Sequence, residues 1–172
     1  MTAVSLDRYP FLAALADGRP LDQVKVPVRT DLASFRHGWQ NFTLTPGVAD
    51  EQAVEYFCYG WCYLLAAAIH ERTGASYVFI DRLREDGEWR WCHVGILASG
   101  GMFLDINGVE NIPSTGPCFN TRGEEIKFRV ERDTSTFHSF VPSRLDWWNC
   151  EVEPLTADVI RYFADQLIAR HF

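Results

Sequence analysis

Three side chains whose types can together break an acyl bond occur in order along the chain: Cys62, His93 and Asp105. A thiol supplies the nucleophile, an imidazole takes its proton and returns it to the leaving group, and a carboxylate orients the imidazole. The attacking species is the thiolate, which is favoured at a helix N-terminus by the positive end of the macrodipole and by unpaired backbone N–H groups. An adjacent imidazolium favours it further. Each residue also has a plainer reading on its own. A buried free cysteine is ordinary core, and an aspartate before Asn107-Gly108 is ordinary turn chemistry. The triad reading depends on whether the surrounding elements bring the three together.

Gly60 to Thr73 predicts a helix ended by Gly74, with Cys62 in its first turn. Leu65, Ala66 and Ile69 fall at i+3, i+4 and i+7 from Cys62, so the thiol shares the stripe that faces the rest of the protein. Asp50 to Phe57 forms a helical turn or two just before. Three strands follow, Ser76 to Leu83, Trp89 to Leu97 and Met102 to Asn107, with turns at Asp86-Gly87 and Ser99-Gly100-Gly101. This is an antiparallel meander. Glu125 to Glu131 alternates Ile126, Phe128 and Val130 with charged residues, the pattern of a strand buried on one face.

At the ends, Leu6 to Ala16 reads as a short helix stopped by Gly18 and Pro20. Thr156 to Arg170 reads as a longer helix with Thr156 as its N-cap and an apolar stripe of Val159, Ile160, Phe163, Leu167 and Ile168. Residues 21 to 49 read as loop with a single short strand. The expectation is one α+β domain over residues 1–172, with a core over about 50–132 and the terminal helices packed on it.

Hairpin register decides whether His93 and Asp105 can meet. A two-residue turn at Ser99-Gly100 sets His93 opposite Ile106 and puts His93 and Asp105 on opposite faces. A three-residue loop, Ala98-Ser99-Gly100, pairs His93 with Asp105 and separates the faces. Val94, Ile96, Met102, Leu104 and Ile106 then share one face, and His93, Gly95, Phe103 and Asp105 the other. In this register Gly95 leaves room beside His93 for the helix bearing Cys62. The backbone N–H of Cys62 would serve a developing oxyanion. Gln40, Asn41 and Gln52 are the upstream amides, and Gln52, on the segment leading into the helix, is the candidate for the second donor.

The segments Gly60-Trp61-Cys62-Tyr63-Leu64-Leu65-Ala66, Cys92-His93-Val94-Gly95-Ile96 and Phe103-Leu104-Asp105-Ile106-Asn107-Gly108 resemble the Cys-His-Asp core of the papain-like superfamily. Within it they are most similar to transglutaminase-like and bacteriocin-processing-type cysteine peptidases. The resemblance spans Tyr59 to Gly108. It implies a papain-like core, with the nucleophile's helix packed on an antiparallel sheet, and thiol-dependent acyl transfer by Cys62, His93 and Asp105. Six residues before Cys62, where papain-type enzymes place a glutamine, this chain has Tyr56. The core is shared by peptidases, amidases, deamidases, transglutaminases and acyltransferases. A peptidase or amidase is the first expectation. A protein-interaction module with an unused triad is the alternative from another class.

The remaining candidates are weaker. Tyr59, Trp61 and Trp91 are placed to line a substrate cleft, and Trp89 and Trp91 share His93's face if alternation is strict. Trp39, Trp147 and Trp148 read as core or as groove walls. Cys58 and Cys92 read as packing residues, and Cys118 and Cys150 lack a base partner. His70 reads as solvated or as a dipole cap. His37, His138 and His171 lack metal-ligand spacing, so no metal and no cofactor is expected. The loop over residues 109 to 124, with Pro113, Gly116 and Pro117, is a candidate cover for the cleft.

Composition bounds the partners. The chain has 172 residues, with 16 Lys+Arg against 23 Asp+Glu for a net charge of −7. With no basic run, nucleic acid is a poor partner. The longest apolar stretch, Trp61 to Ile69, is far short of the roughly 20 residues that span a bilayer. No secretory signal is read at the N-terminus, so a soluble cytoplasmic protein acting on a protein or peptide, or on another acyl donor, is expected. The acidic balance suits a basic peptide. Five cysteines with no CxxC pair suggest neither a disulfide framework nor a zinc site.

Overall fold

The computed structural model describes residues 5–29, 41–112, 125–132 and 153–172. They form an α+β structure built on a five-stranded antiparallel sheet. Helix α1 spans Pro10–Ala16 after a single 3₁₀ turn at Leu6–Arg8. The segment expected to hold one strand holds two, β1 (Val26–Arg29) and β2 (Asn41–Leu44), which pair with each other. Helix α2 (Glu51–Tyr59) begins where Asp50 accepts a hydrogen bond from the Ala53 N–H at 3.0 Å. Helix α3 runs Cys62–Thr73 and ends at Gly74 in the left-handed conformation, φ 68°.

Between α2 and α3 the chain breaks its helical course. The amide of Trp61 donates to the carbonyl of Tyr56 at 2.9 Å, and Leu64 and Leu65 donate to the carbonyl of Trp61. The expected helix therefore starts two residues late, and Cys62 becomes its first residue.

The main sheet has the order β6-β5-β4-β3-β7, from β3 (Tyr77–Leu83), β4 (Trp89–Ala98), β5 (Met102–Asp105), β6 (Gly108–Glu110) and β7 (Ile126–Glu131). The β4–β5 register pairs Ile96 with Leu104 and Ala98 with Met102. This corrects the expected Ala98-Ser99-Gly100 loop. Gly100 and Gly101 both take positive φ, 72° and 75°, so the three loop residues are Ser99, Gly100 and Gly101, and the register moves by two. A shift of two keeps every side chain on its face, whereas a shift of one would not. His93 is consequently not the cross-strand partner of Asp105; it stands opposite Ile80.

A bulge in β4 makes a second correction. Ile80 pairs with His93 and Asp81 with Trp91, which leaves Cys92 as the extra residue. Ile80 and Asp81 are successive and point to opposite faces, so Trp91 does not share the face of His93. A third correction concerns β7. Its burial does not alternate as expected, because Val130 is 47% exposed, while Arg129 lies over the Phe79 ring and pairs with Asp81 at 3.0 Å.

Both faces of the sheet's centre are covered: Val78, Phe79, Ile80, Ile96, Phe103 and Leu104 are all 0% exposed. Each such side chain contributes about 1.5–3 kcal/mol by burial. Helix α3 packs on β4 and against the closing helix α4 (Pro154–His171). Pro154 occupies the first turn of α4 and Glu153 is its cap residue, which corrects the expectation that Thr156 caps it. Helix α1 is tied to α4 by Asp158, which accepts from the N–H groups of Phe11 and Leu12 at 2.8 and 3.2 Å. Asp165 of α4 accepts from the Tyr9 hydroxyl and pairs with Arg8 and Arg72. Among the described residues no helix is long and apolar enough to cross a membrane.

Gly95 fits because it has no side chain, but the space it leaves is not for α3. A Cβ there would lie 2.5 Å from the Leu104 carbonyl oxygen and 2.5 Å from Cζ of Phe103. Backbone cannot yield cheaply, so Gly95→Ala is expected to destabilise the fold by about 1–3 kcal/mol, the usual cost of overpacking. An unchanged urea midpoint for that variant would refute this account of the β4–β5 contact.

Candidate active site

His93 is 0% exposed. Its ring Nε2 lies 2.9 Å from Oδ2 of Asp105, the last residue of β5, so an imidazole N–H donates to a buried carboxylate. Asn107 holds the same carboxylate from the following turn. Its backbone N–H donates to Oδ1 at 2.8 Å and its side-chain Nδ2 to Oδ2 at 3.4 Å. Asp105 is thus the turn residue and the imidazole's anchor at once, with Oδ1 shaping the bend and Oδ2 meeting the ring.

Cys62, 5% exposed, lines the same gap as His93 and acts on the imidazole electrostatically, raising its pKa. Nε2 is engaged by Asp105, so a proton exchanged with a thiol would pass through Nδ1. Because Cys62 opens α3, its own N–H is one of the four at a helix start that have no acceptor within the helix. Leu65, Ala66 and Ile69, the stripe expected to accompany Cys62, line the same gap between α3 and the sheet as His93 and Asp105.

Sequence reasoning missed a second thiol at this point. Cys58, read as packing, has its Sγ within 4.8 Å of a His93 ring nitrogen and an Asp105 carboxylate oxygen, and it accepts a hydrogen bond from Asn107 Nδ2 at 3.3 Å. The break at Gly60-Trp61 folds the last turn of α2 against the start of α3. The available signal was weak: Cys62 lies four positions after Cys58, but the helix breaks between them, so their nearness comes from the turn and not from one helical face. Cys92 is different: its thiol donates to the Ile80 carbonyl at 3.3 Å.

Burial governs most of the electrostatics. It pushes the Cys58 thiol up, with the Asp105 charge adding to the effect, and it raises Cys92 as well. For His93 burial is the largest single influence and acts downward. The nearby Cys62 thiol, the hydrogen bond to Asp105 and the charge of Asp105 together outweigh it and lift the imidazole to about 10.

The weaker candidates are placed as follows. Gln52 is not brought to the triad: it lies at the start of α2, where its Oε1 accepts from the Thr43 N–H at 2.6 Å. Asn41 is in β2, opposite Arg29. Tyr59 ends α2 and packs on the core. Trp61 stacks on Tyr56 at 6.0 Å and meets Tyr63 at 5.8 Å, and Trp91 reaches Tyr63 at 6.4 Å. His70 braces the end of α3, with Nδ1 2.7 Å from the Ala75 carbonyl and its ring stacked on Tyr77. His37, Trp39, Gln40, Cys118, His138, Trp147, Trp148, Cys150 and most of the 109 to 124 loop lie outside the described residues.

No protein-family model, no curated protein and no solved structure matches the chain. The site is therefore read from its own geometry.

His93 also predicts a pH dependence of stability. Folding raises its pKa above the ordinary 6.5 to about 10, so the folded state binds the proton more tightly than the unfolded one. The resulting stabilisation is fully present below the unfolded value and is lost as pH rises through the folded one. The difference in urea midpoint between the natural chain and His93→Gln should be largest near pH 6 and shrink towards pH 10. A difference that does not change with pH would contradict the assignment.

Proposed function

We propose that the protein is a papain-like thiol enzyme that transfers an acyl group through Cys62. The observation that carries this reading is the buried His93–Asp105 pair at 2.9 Å, with Cys62, the first residue of α3, lining the same gap. Cys62 Sγ attacks the carbonyl carbon of the acyl donor. His93 takes the thiol proton at Nδ1 and delivers it to the leaving group, and Asp105 fixes the ring through Nε2. The Cys62 N–H at the head of α3 donates to the developing oxyanion. Water then releases the acyl group, which makes the reaction that of a peptidase or amidase.

Release to an amine would make the same intermediate serve a transglutaminase or acyltransferase, and a side-chain amide as acyl donor would make it a deamidase. The donor we favour is a protein or peptide, and the acidic balance of the chain favours one carrying basic residues. The described cysteines, Cys58, Cys62 and Cys92, are free thiols, which fits the reducing conditions of a cytoplasmic setting.

The test is the pH dependence of iodoacetamide labelling at each cysteine, followed by mass spectrometry in the natural chain and in His93→Ala. Cys62 should label fastest below pH 7 and lose that advantage in the variant, because the burial that raises Cys58 and Cys92 keeps those thiols unreactive there. Labelling of Cys62 no faster than of Cys58 and Cys92 would end the enzymatic reading and leave an interaction module as the working alternative.

A further inference from the structure

We propose that Cys58, His93 and Asp105 form a zinc site, and that an ion held there silences the thiol chemistry of Cys62. The silencing rests on the reading of Cys62 as nucleophile; the metal site does not.

The three donors come from α2, β4 and β5, and their ligand atoms lie within 4.8 Å of one another. One sulfur, one imidazole nitrogen and one carboxylate oxygen form a donor set that suits zinc and not the all-oxygen demands of magnesium or calcium. A tetrahedral zinc ion with ordinary bond lengths sets such donors roughly 3.3–3.6 Å apart. Cys58 Sγ, within 4.8 Å of both, closes by no more than about 1.5 Å, and the His93–Asp105 pair opens slightly from 2.9 Å. A thiolate and a carboxylate together neutralise the ion, which removes most of the cost of burying its charge.

Asn107 marks the entrance. It is the exposed member of the group, and its Nδ2 hydrogens already point at two of the donors, Cys58 Sγ and Asp105 Oδ2. A partial positive charge thus lies where the ion would bring a full one. Rotation of this side chain opens the site to solvent and leaves the fourth coordination position to water. On binding, the Cys58 thiol and His93 Nε2 each release one proton to solvent, and no electrons move. The imidazole keeps its proton at Nδ1, so it cannot accept one from Cys62.

The experiment titrates zinc chloride into the full chain against a competing chromogenic chelator, with cobalt(II) as a spectroscopic substitute. One ion per chain should bind, and cobalt should give the near-ultraviolet charge-transfer band of a thiolate ligand. Cys62→Ser should retain both. Cys58→Ser should lose the band and bind at least as much more weakly as the roughly 10–100-fold that losing an outer partner costs. Asp105→Asn, which removes no thiol, should weaken binding similarly and decides the matter if Cys58→Ser does not fold by circular dichroism. Failure of the natural chain to compete for zinc overturns the proposal, as does loss of binding in Cys62→Ser with retention in Cys58→Ser. Zinc should also slow iodoacetamide labelling of Cys62 in the natural chain and not in Cys58→Ser; equal slowing in both overturns the silencing. Zinc binding without selective reactivity at Cys62 removes the acyl-transfer reading and leaves the metal site standing, and selective reactivity without zinc binding does the reverse.

Discussion

The hydrogen bond between His93 and Asp105 sets the terms for everything around it. A carboxylate and an imidazole are held where water does not reach, His93 at 0% and Asp105 at 5% exposure. Removing one partner of such a pair commonly costs 3–5 kcal/mol, because the other is left charged and uncompensated. The surroundings must therefore fix both groups independently. Pairing with β3 fixes His93, and the tight turn after β5, through the two Asn107 donors, fixes Asp105. The absence of a side chain at Gly95 lets Phe103 and the β5 backbone close against β4 between them.

The second constraint is the interruption between α2 and α3. Had the helix run on through Gly60 and Trp61, the amide of Cys62 would have been spent on a carbonyl one turn earlier. The break gives the thiol a fresh helix start and gives the same imidazole two sulfur neighbours of unlike character. Cys62 opens α3 and lines the gap beside the ring, whereas Cys58 accepts a hydrogen bond from Asn107. One turn thus places both thiols near one base, and their local contacts divide their roles.

Much of this was legible in the sequence, and the misses share a cause. The meeting of His93 and Asp105, the α+β class and the inward stripe of α3 follow from residue types and short-range periodicity, which survive small errors in boundaries. The β4–β5 loop was misplaced by one position, yet His93 and Asp105 still met, because a two-residue register shift preserves side-chain faces. What failed needed information from outside the strand concerned. The Cys92 bulge is set by β3, the partial burial of Arg129 in place of Val130 by Asp81 and Phe79 of β3, and the tethering of Gln52 by the edge of β2. The role of Cys58 was hidden for the same reason, since its neighbours lie about 35 and 47 positions further along the chain.

The clasp that Asp158 and Asp165 make between the chain's two ends bears on when the site becomes complete. These contacts join residues 146 to 156 positions apart, and contacts of such separation close late because the entropy of the whole intervening loop must be lost first. Synthesis runs in the same direction. The helix that begins at Cys62 and the strands that carry His93 and Asp105 are all made before α4 exists, and α3 gains its second flank only when that 18-residue helix docks. A nascent chain thus holds Cys62, His93 and Asp105 before it holds the wall behind them, and α4, made after all three, finishes their support.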